Sequence, residues 1–139
     1  LHAHDFAPFK ALNDVPMGMT AHIIFSAYDE TAPATTSPIM HRVIREEIGF
    51  DGLLMTDDLS MEALAGDVHQ RCSDALSAGC DLILHCNGEM AEMEVVASFG
   101  AMTDAAEARA ARALAQRQTP VDIDISALRA ELAATMENA

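Results

Sequence analysis

Basic residues are scarce in this 139-residue sequence: 8 Lys and Arg stand against 22 Asp and Glu, a formal charge of −14. A surface that anionic repels phosphate backbones and acidic lipid headgroups, which argues against nucleic-acid binding and membrane-surface attachment. No apolar run approaches the roughly 18–20 residues of a membrane span, so a soluble chain is expected. No basic and apolar leader opens the sequence, which begins at Leu1. Cysteine is sparse too: Cys72, Cys80 and Cys86 are an odd number without a CxxC pair. That disfavours a disulfide scaffold or a zinc ribbon and makes a reducing cytoplasm the expected compartment. Aromatics are only 4% of the residues, yet 50% are apolar, more than a disordered chain carries. The length suits one domain with a sizeable core, and small-molecule or neutral-polymer chemistry is the class left standing.

Turn chemistry at Asp14-Val15-Pro16 precedes an apolar run without clean alternation, which predicts a strand over residues 17–24 covered on both faces. The polar, Pro-containing stretch SAYDETAPATTSP follows, a connection of the length that tends to carry function. Ser37 then caps a helix with Pro38 in its first turn, an apolar stripe of Ile39, Met40, Val43, Ile44 and Ile48, and a stop at Gly49. Leu53-Leu54-Met55 reads as a second buried strand, residues 61–64 as a helical turn, and residues 68–78 as an amphipathic helix closed by Gly79. Residues 81–86 supply a third buried strand, and helices are expected over 90–99, 103–116 and 126–136, with Thr119-Pro120 separating the last two. Met17, Met19 and Met55 read as core filler. Strand and helix alternate, so the expected fold class is α/β, with parallel strands joined by right-handed crossovers in a doubly wound sheet or part of a (β/α) barrel.

In both architectures ligands gather at the carboxyl ends of the strands. The residues leaving the apolar runs are 20–22, Thr56-Asp57-Asp58 and His85-Cys86-Asn87. Two adjacent acids after LLM stand out, because alternation aims one toward the axis and the other away. Position alone leaves open that both cap the next helix. His22 reads as a supporting hydrogen-bonding group or as a satisfied core histidine. His85 and Asn87 are either a polar rim or a sugar contact. His2-x-His4-Asp5 has metal-ligand residue types, but FAPFKAL after it reads as a covering helix, so a surface histidine pair without metal is expected.

The run VIREEIGFDGLLMTDDLS, residues 43–60, resembles the active-site signature of family 3 glycoside hydrolases: two aliphatics, Arg45, an acid, Gly52, apolar residues, Thr56, then the nucleophile. The flanking MTAHIIFSAYDETAPATTSP and DLSMEALAG resemble the bacterial β-N-acetylhexosaminidase branch, which trims peptidoglycan fragments. The resemblance implies that Asp57 is the catalytic nucleophile of a retaining exo-acting enzyme, with Asp58 orienting the turn and His22 in support. It implies a peptidoglycan-derived amino-sugar substrate, N-acetylglucosamine linked to anhydro-muramyl peptides, with no metal or organic cofactor.

The family fold is a closed TIM-type barrel of eight strands, and the three strands found here resemble its last three, followed by C-terminal helices. Residues 1–139 are therefore expected to be the C-terminal part of a single catalytic barrel domain. A Lys-His pair, sugar-binding arginines and an Asp-His acid/base loop, which the family places upstream, have no match here. The chain alone is expected to be inactive, and its open strand edges to promote self-association. A β-glucosidase sharing the signature, or a non-catalytic half-barrel that binds sugar, are the competing readings.

Overall fold

The structure is a computed structural model that describes residues 1–137. Helix α1 spans Ala7–Ala11, and strands β1 (Met17–Met19), β2 (Leu53–Asp58) and β3 (Leu82–Leu84) form one sheet in the order β1-β2-β3. Both pairings are parallel. Helix α2 (Pro38–Arg42) runs straight into a π-helical segment, Val43–Ile48, and α3 (Val68–Ala78), α4 (Met90–Ser98), α5 (Asp104–Ala115) and α6 (Ile125–Glu137) follow. The parallel α/β architecture matches the sequence expectation, and the sheet does not close into a barrel among the described residues. No described helix is long and apolar enough to cross a membrane.

Local chemistry explains the helix boundaries. The Ser37 hydroxyl oxygen accepts from Met40 N–H at 3.1 Å, and Gly49 ends the π segment at φ +82°, a left-handed value costly for any residue with a Cβ. Asp67 caps α3 by accepting from Gln70 N–H at 2.9 Å, and Gly79 closes it at φ +124°. Gly52 is required for space as well: a Cβ there would lie 2.5 Å from the Phe50 ring and 2.7 Å from Val15 O.

The buried apolar residues include two clusters. Phe6, Ala34, Met40 and Val43 pack together, and Leu59, Leu64 and Cys72 form a second group roofed by Val68, Ile83, Val96 and Phe99. Leu59 is fully buried, worth about 1.5–3 kcal/mol of apolar burial.

Five expectations are corrected. Strand β1 stops at Met19 because Thr20 N–H makes the last bond to Met55 O. Beyond it Ala21 O and Ile23 O turn to Thr35 N–H and Ala34 N–H, away from the sheet. Met17 and Met19 are 43% and 52% exposed, with no described element covering that face of β1, so they are not core filler. Residues 61–64 form bends and turns and no helix, and the Arg71 guanidinium donates to the Met61 and Leu64 carbonyls. In addition, β3 is shorter than residues 81–86, and β2 extends through both acids.

The amino ends of β2 and β3 are locked by charge. Asp81 Oδ2 accepts from Arg45 Nη2 at 2.8 Å and Leu54 N–H at 2.9 Å, while Oδ1 accepts from Arg109 Nη1 at 3.0 Å. Arg45 Nη1 also donates to Phe50 O and Gly52 O. Arg109 and Arg112 reach Asp51 as well, but that carboxylate is 75% exposed. Removing one member of a buried, hydrogen-bonded network leaves charges stranded, whereas an exposed pair is screened. Asp81→Ala is therefore expected to destabilise the chain by about 3 kcal/mol and Asp51→Ala by less than about 1 kcal/mol, read from urea unfolding midpoints.

Candidate active site

Polar side chains gather at the carboxyl ends of the three strands. Strand β2 delivers Thr56, Asp57 and Asp58 there, and the register against β3 shifts between Met55, paired with Leu82, and Asp58, paired with Leu84. The cause is local: Leu84 N–H donates to the buried Thr56 hydroxyl at 2.8 Å instead of to a ladder carbonyl. Asp57 lies inside this irregular stretch, the kind of place where a strand re-aims a side chain. Its Oδ1 accepts from Asp58 N–H at 2.8 Å, and Oδ2 has no protein donor among the described residues.

Asp58 is the hub of the turn. Its Oδ1 accepts from Ser60 N–H and Cys86 N–H, each at 3.0 Å, and its Oδ2 from the Ser60 hydroxyl at 2.5 Å. Burial pushes the carboxyl up, but the Ser60 hydroxyl, the two N–H donors and nearby His85 outweigh it. The net position lies below the ordinary carboxylate value.

His22 joins the same turn from the loop after β1. Its Nε2 lies 2.9 Å from Asp58 O, which can only accept, so Nε2 carries the hydrogen. In the neutral ring Nδ1 then accepts from the Thr35 hydroxyl at 2.7 Å, and Thr35 Oγ1 accepts from the Thr20 hydroxyl at 2.9 Å. The long connection is braced by Asp29, which takes the Ser37 hydroxyl at 2.6 Å together with both N–H and hydroxyl of Thr31 and Ala32 N–H. The Ser37 hydroxyl first, then those donors, hold Asp29 well below the usual carboxylate range.

The structure thus brings Asp57, Asp58 and His22 together and leaves other candidates elsewhere. Arg45 of the same signature sits at the opposite end of the strands, on Asp81. His85 and Asn87 stand beside the turn, both near Glu92, with Asn87 Nδ2 donating to Glu92 Oε2 at 2.7 Å. His2 contacts the Tyr28 hydroxyl and Glu47, and no described group of three or more His, Cys, Asp and Glu could hold a metal ion. Sequence reasoning missed Thr35, Ser60 and Asp81. Only Asp81 carried a signal, an acid at the very start of an apolar strand. The three cysteines are free; Cys72 and Cys80 are buried and Cys86 exposed.

Fold and site together describe an α/β protein of the barrel type, with its polar groups at the carboxyl ends of parallel strands. The chain belongs to glycosyl hydrolase family 3: residues 1–117 match the family's N-terminal domain. It is 38% identical over 121 residues to a beta-hexosaminidase of Vibrio cholerae, covering 84% of this chain and 36% of that one. Among solved structures it resembles the family 3 beta-N-acetylglucosaminidase of Paenibacillus, with a TM-score of 0.66 and 27% identity over 86% of this chain and 26% of that one. The beta-N-acetylglucosaminidase of Thermotoga maritima is similar too, with a TM-score of 0.59 and 31% identity over 78% of this chain and 27% of that one. The chain spans about a third of the length of the curated relatives it matches.

Two measurements test this geometry. Because the folded Asp58 value is depressed, its contribution to stability is complete above about pH 4, the unfolded value, and is lost as pH falls through the folded one. Ser60→Ala removes the hydroxyl donor, so the Asp58 carboxyl titration followed by carbon NMR is expected to move upward toward the ordinary value. Burial pushes the Cys80 thiol up to about 12. A disulfide reagent at pH 8 is accordingly expected to label one thiol rapidly in the folded chain, at Cys86, and all three in denaturant.

Proposed function

We propose that the chain is the nucleophile-bearing, C-terminal part of the catalytic barrel of a retaining exo-β-N-acetylglucosaminidase. The observation that supports it most directly is Asp57 at the carboxyl end of β2, one oxygen held by Asp58 N–H and the other without a protein donor. A carboxylate fixed by one amide keeps its orientation and leaves a lone pair for attack. Asp57 Oδ2 bonds to the anomeric carbon as the glycosidic C–O bond breaks, and the leaving oxygen takes a proton from an acid. Water then attacks the same carbon, giving its proton to the conjugate base, and the Asp57 ester is released. Two inversions return the starting configuration.

The other residues of the turn fit supporting parts. Asp58 supplies the amide that orients Asp57, and His22, its Nδ1 on the Thr35 hydroxyl, donates from Nε2 to the Asp58 carbonyl. The acid/base and most sugar-binding groups are then supplied from outside these residues, as the relatives' greater length allows. N-acetylglucosamine at the non-reducing end of peptidoglycan-derived fragments is the substrate, the cytoplasm the compartment, and neither metal nor organic cofactor enters the cycle.

The test is a chimera in which residues 14–99 replace the corresponding segment of the Vibrio cholerae beta-hexosaminidase. The chimera is expected to release nitrophenol from its β-N-acetylglucosaminide, and the 139-residue chain alone to release none. Asp57→Ala is expected to lower kcat by about 10⁴-fold or more, and a 5-fluoro-glycosyl fluoride to label the peptide that carries Asp57. Turnover surviving Asp57→Ala would move the nucleophile elsewhere, and preference for a β-glucoside would favour the glucosidase reading.

A further inference from the structure

The helix that follows the β2 turn carries a cation that the reaction above does not use. Arg71 stands at the amino end of α3, where the aligned peptide dipoles disfavour positive charge. Its four hydrogen bonds among the described residues all go to backbone carbonyls and none to a carboxylate. Nε donates to Gly66 O at 3.1 Å, Nη1 to Leu59 O at 2.8 Å and Met61 O at 3.0 Å, and Nη2 to Leu64 O at 2.6 Å. These carbonyls belong to residues 59–66, the connection between β2 and α3, which has neither ladder nor helix of its own. The buried Leu59 and Leu64 side chains draw that connection inward, and backbone carbonyls carried toward the interior need donors. One guanidinium, with its N–H groups in a rigid fork, meets the need.

The grip is centred on Ser60. Nη1 holds the carbonyls of the residues on either side of it, Leu59 and Met61. Ser60 in turn donates its N–H to Asp58 Oδ1 at 3.0 Å and its hydroxyl to Oδ2 at 2.5 Å, and Met61 N–H donates to Asp58 O at 3.2 Å. Asp58 N–H holds Asp57 Oδ1 at 2.8 Å. Hydrogen bonds and adjacent residues therefore connect the guanidinium to Asp57 without a gap.

We propose that Arg71 is a positioning residue: its guanidinium grips the backbone on both sides of Ser60, keeps Ser60 and Met61 on Asp58, and so fixes the amide that orients Asp57. The kinetic consequence rests on Asp57 being the nucleophile; the grip itself does not.

Hydrogen exchange in the 139-residue chain, followed by NMR, tests the grip directly. Arg71→Lys keeps the charge and much of the stem, but an ammonium with three donors cannot span four carbonyls. It is expected to speed exchange at the Ser60 and Met61 amides about ten-fold. The Gly79 amide, bonded to Ala75 O at the carboxyl end of α3, and the Leu54 amide, bonded to Asp81 at the far end of β2, are expected to stay as they are. Unchanged exchange at Ser60 and Met61 overturns the proposal, and so does equal acceleration at all four amides, which would make Arg71 a general stabiliser. In the chimera, Arg71→Lys is expected to lower kcat about ten-fold with KM within about two-fold, and Arg71→Met, which removes every donor, to cost about ten-fold more with the same split. An undiminished kcat, or a loss confined to KM, likewise overturns it. A chimera still active after Asp57→Ala sinks the nucleophile reading instead, and the exchange result continues to decide the grip.

Discussion

The Asp81 carboxylate is the constraint on which the rest of this structure depends. With 6% of its side chain exposed, it can be carried into the protein only because three donors meet it: two guanidinium groups and the Leu54 amide. Those donors come from the π segment, from β2 and from α5, so one residue ties the amino ends of β2 and β3 to two helices. Satisfying the charge therefore also sets where β2 starts relative to β3. The π segment has a part in this, since its wide turn carries Arg45 to Asp81, Phe50 O and Gly52 O at once.

The opposite ends of the same strands are bonded differently. At the amino ends the buried Asp81 charge is matched by Arg45 and Arg109; at the carboxyl ends Asp57 keeps one oxygen free of protein donors and the ladder gives way to a bulge. Six residues of β2 separate the two, about 20 Å at the rise of an extended strand. Rigidity at one end and an under-satisfied carboxylate at the other is the division of labour common to parallel α/β proteins, in which strands anchor and the groups at their carboxyl ends act.

Much of this was legible in the residue order. Ser37-Pro38, Gly49, Gly79 and Pro120 mark helix limits because their backbone preferences act locally, and the alternation of strand and helix specified parallel pairing. That Asp57 and Asp58 stand at the carboxyl end of a strand, where ligands gather in such folds, was visible too. What went unread depends on partners distant in sequence. Strand β1 ends at Met19 because residues 21 and 23 bond to the loop at 34–35, and Met17 and Met19 are exposed because nothing among the described residues covers them. Neither fact has a trace in the local pattern of MGMTAHII, whose apolar run looks the same whether covered or bare.

Arg45 and Asp57 show the boundary most clearly. The sequence by itself determined that both belong to one signature, along with the element order, the helix caps and the family. Only the tertiary structure decided that Arg45 is spent on Asp81, while the Asp58 carbonyl takes the His22 Nε2 hydrogen, Thr35 bonds the other ring nitrogen, and Asp58 gathers donors from Ser60 and Cys86. The reason is physical: caps and turns depend on dihedral preferences within a few residues, whereas the partner of a buried charge is whatever folding brings within about 3 Å.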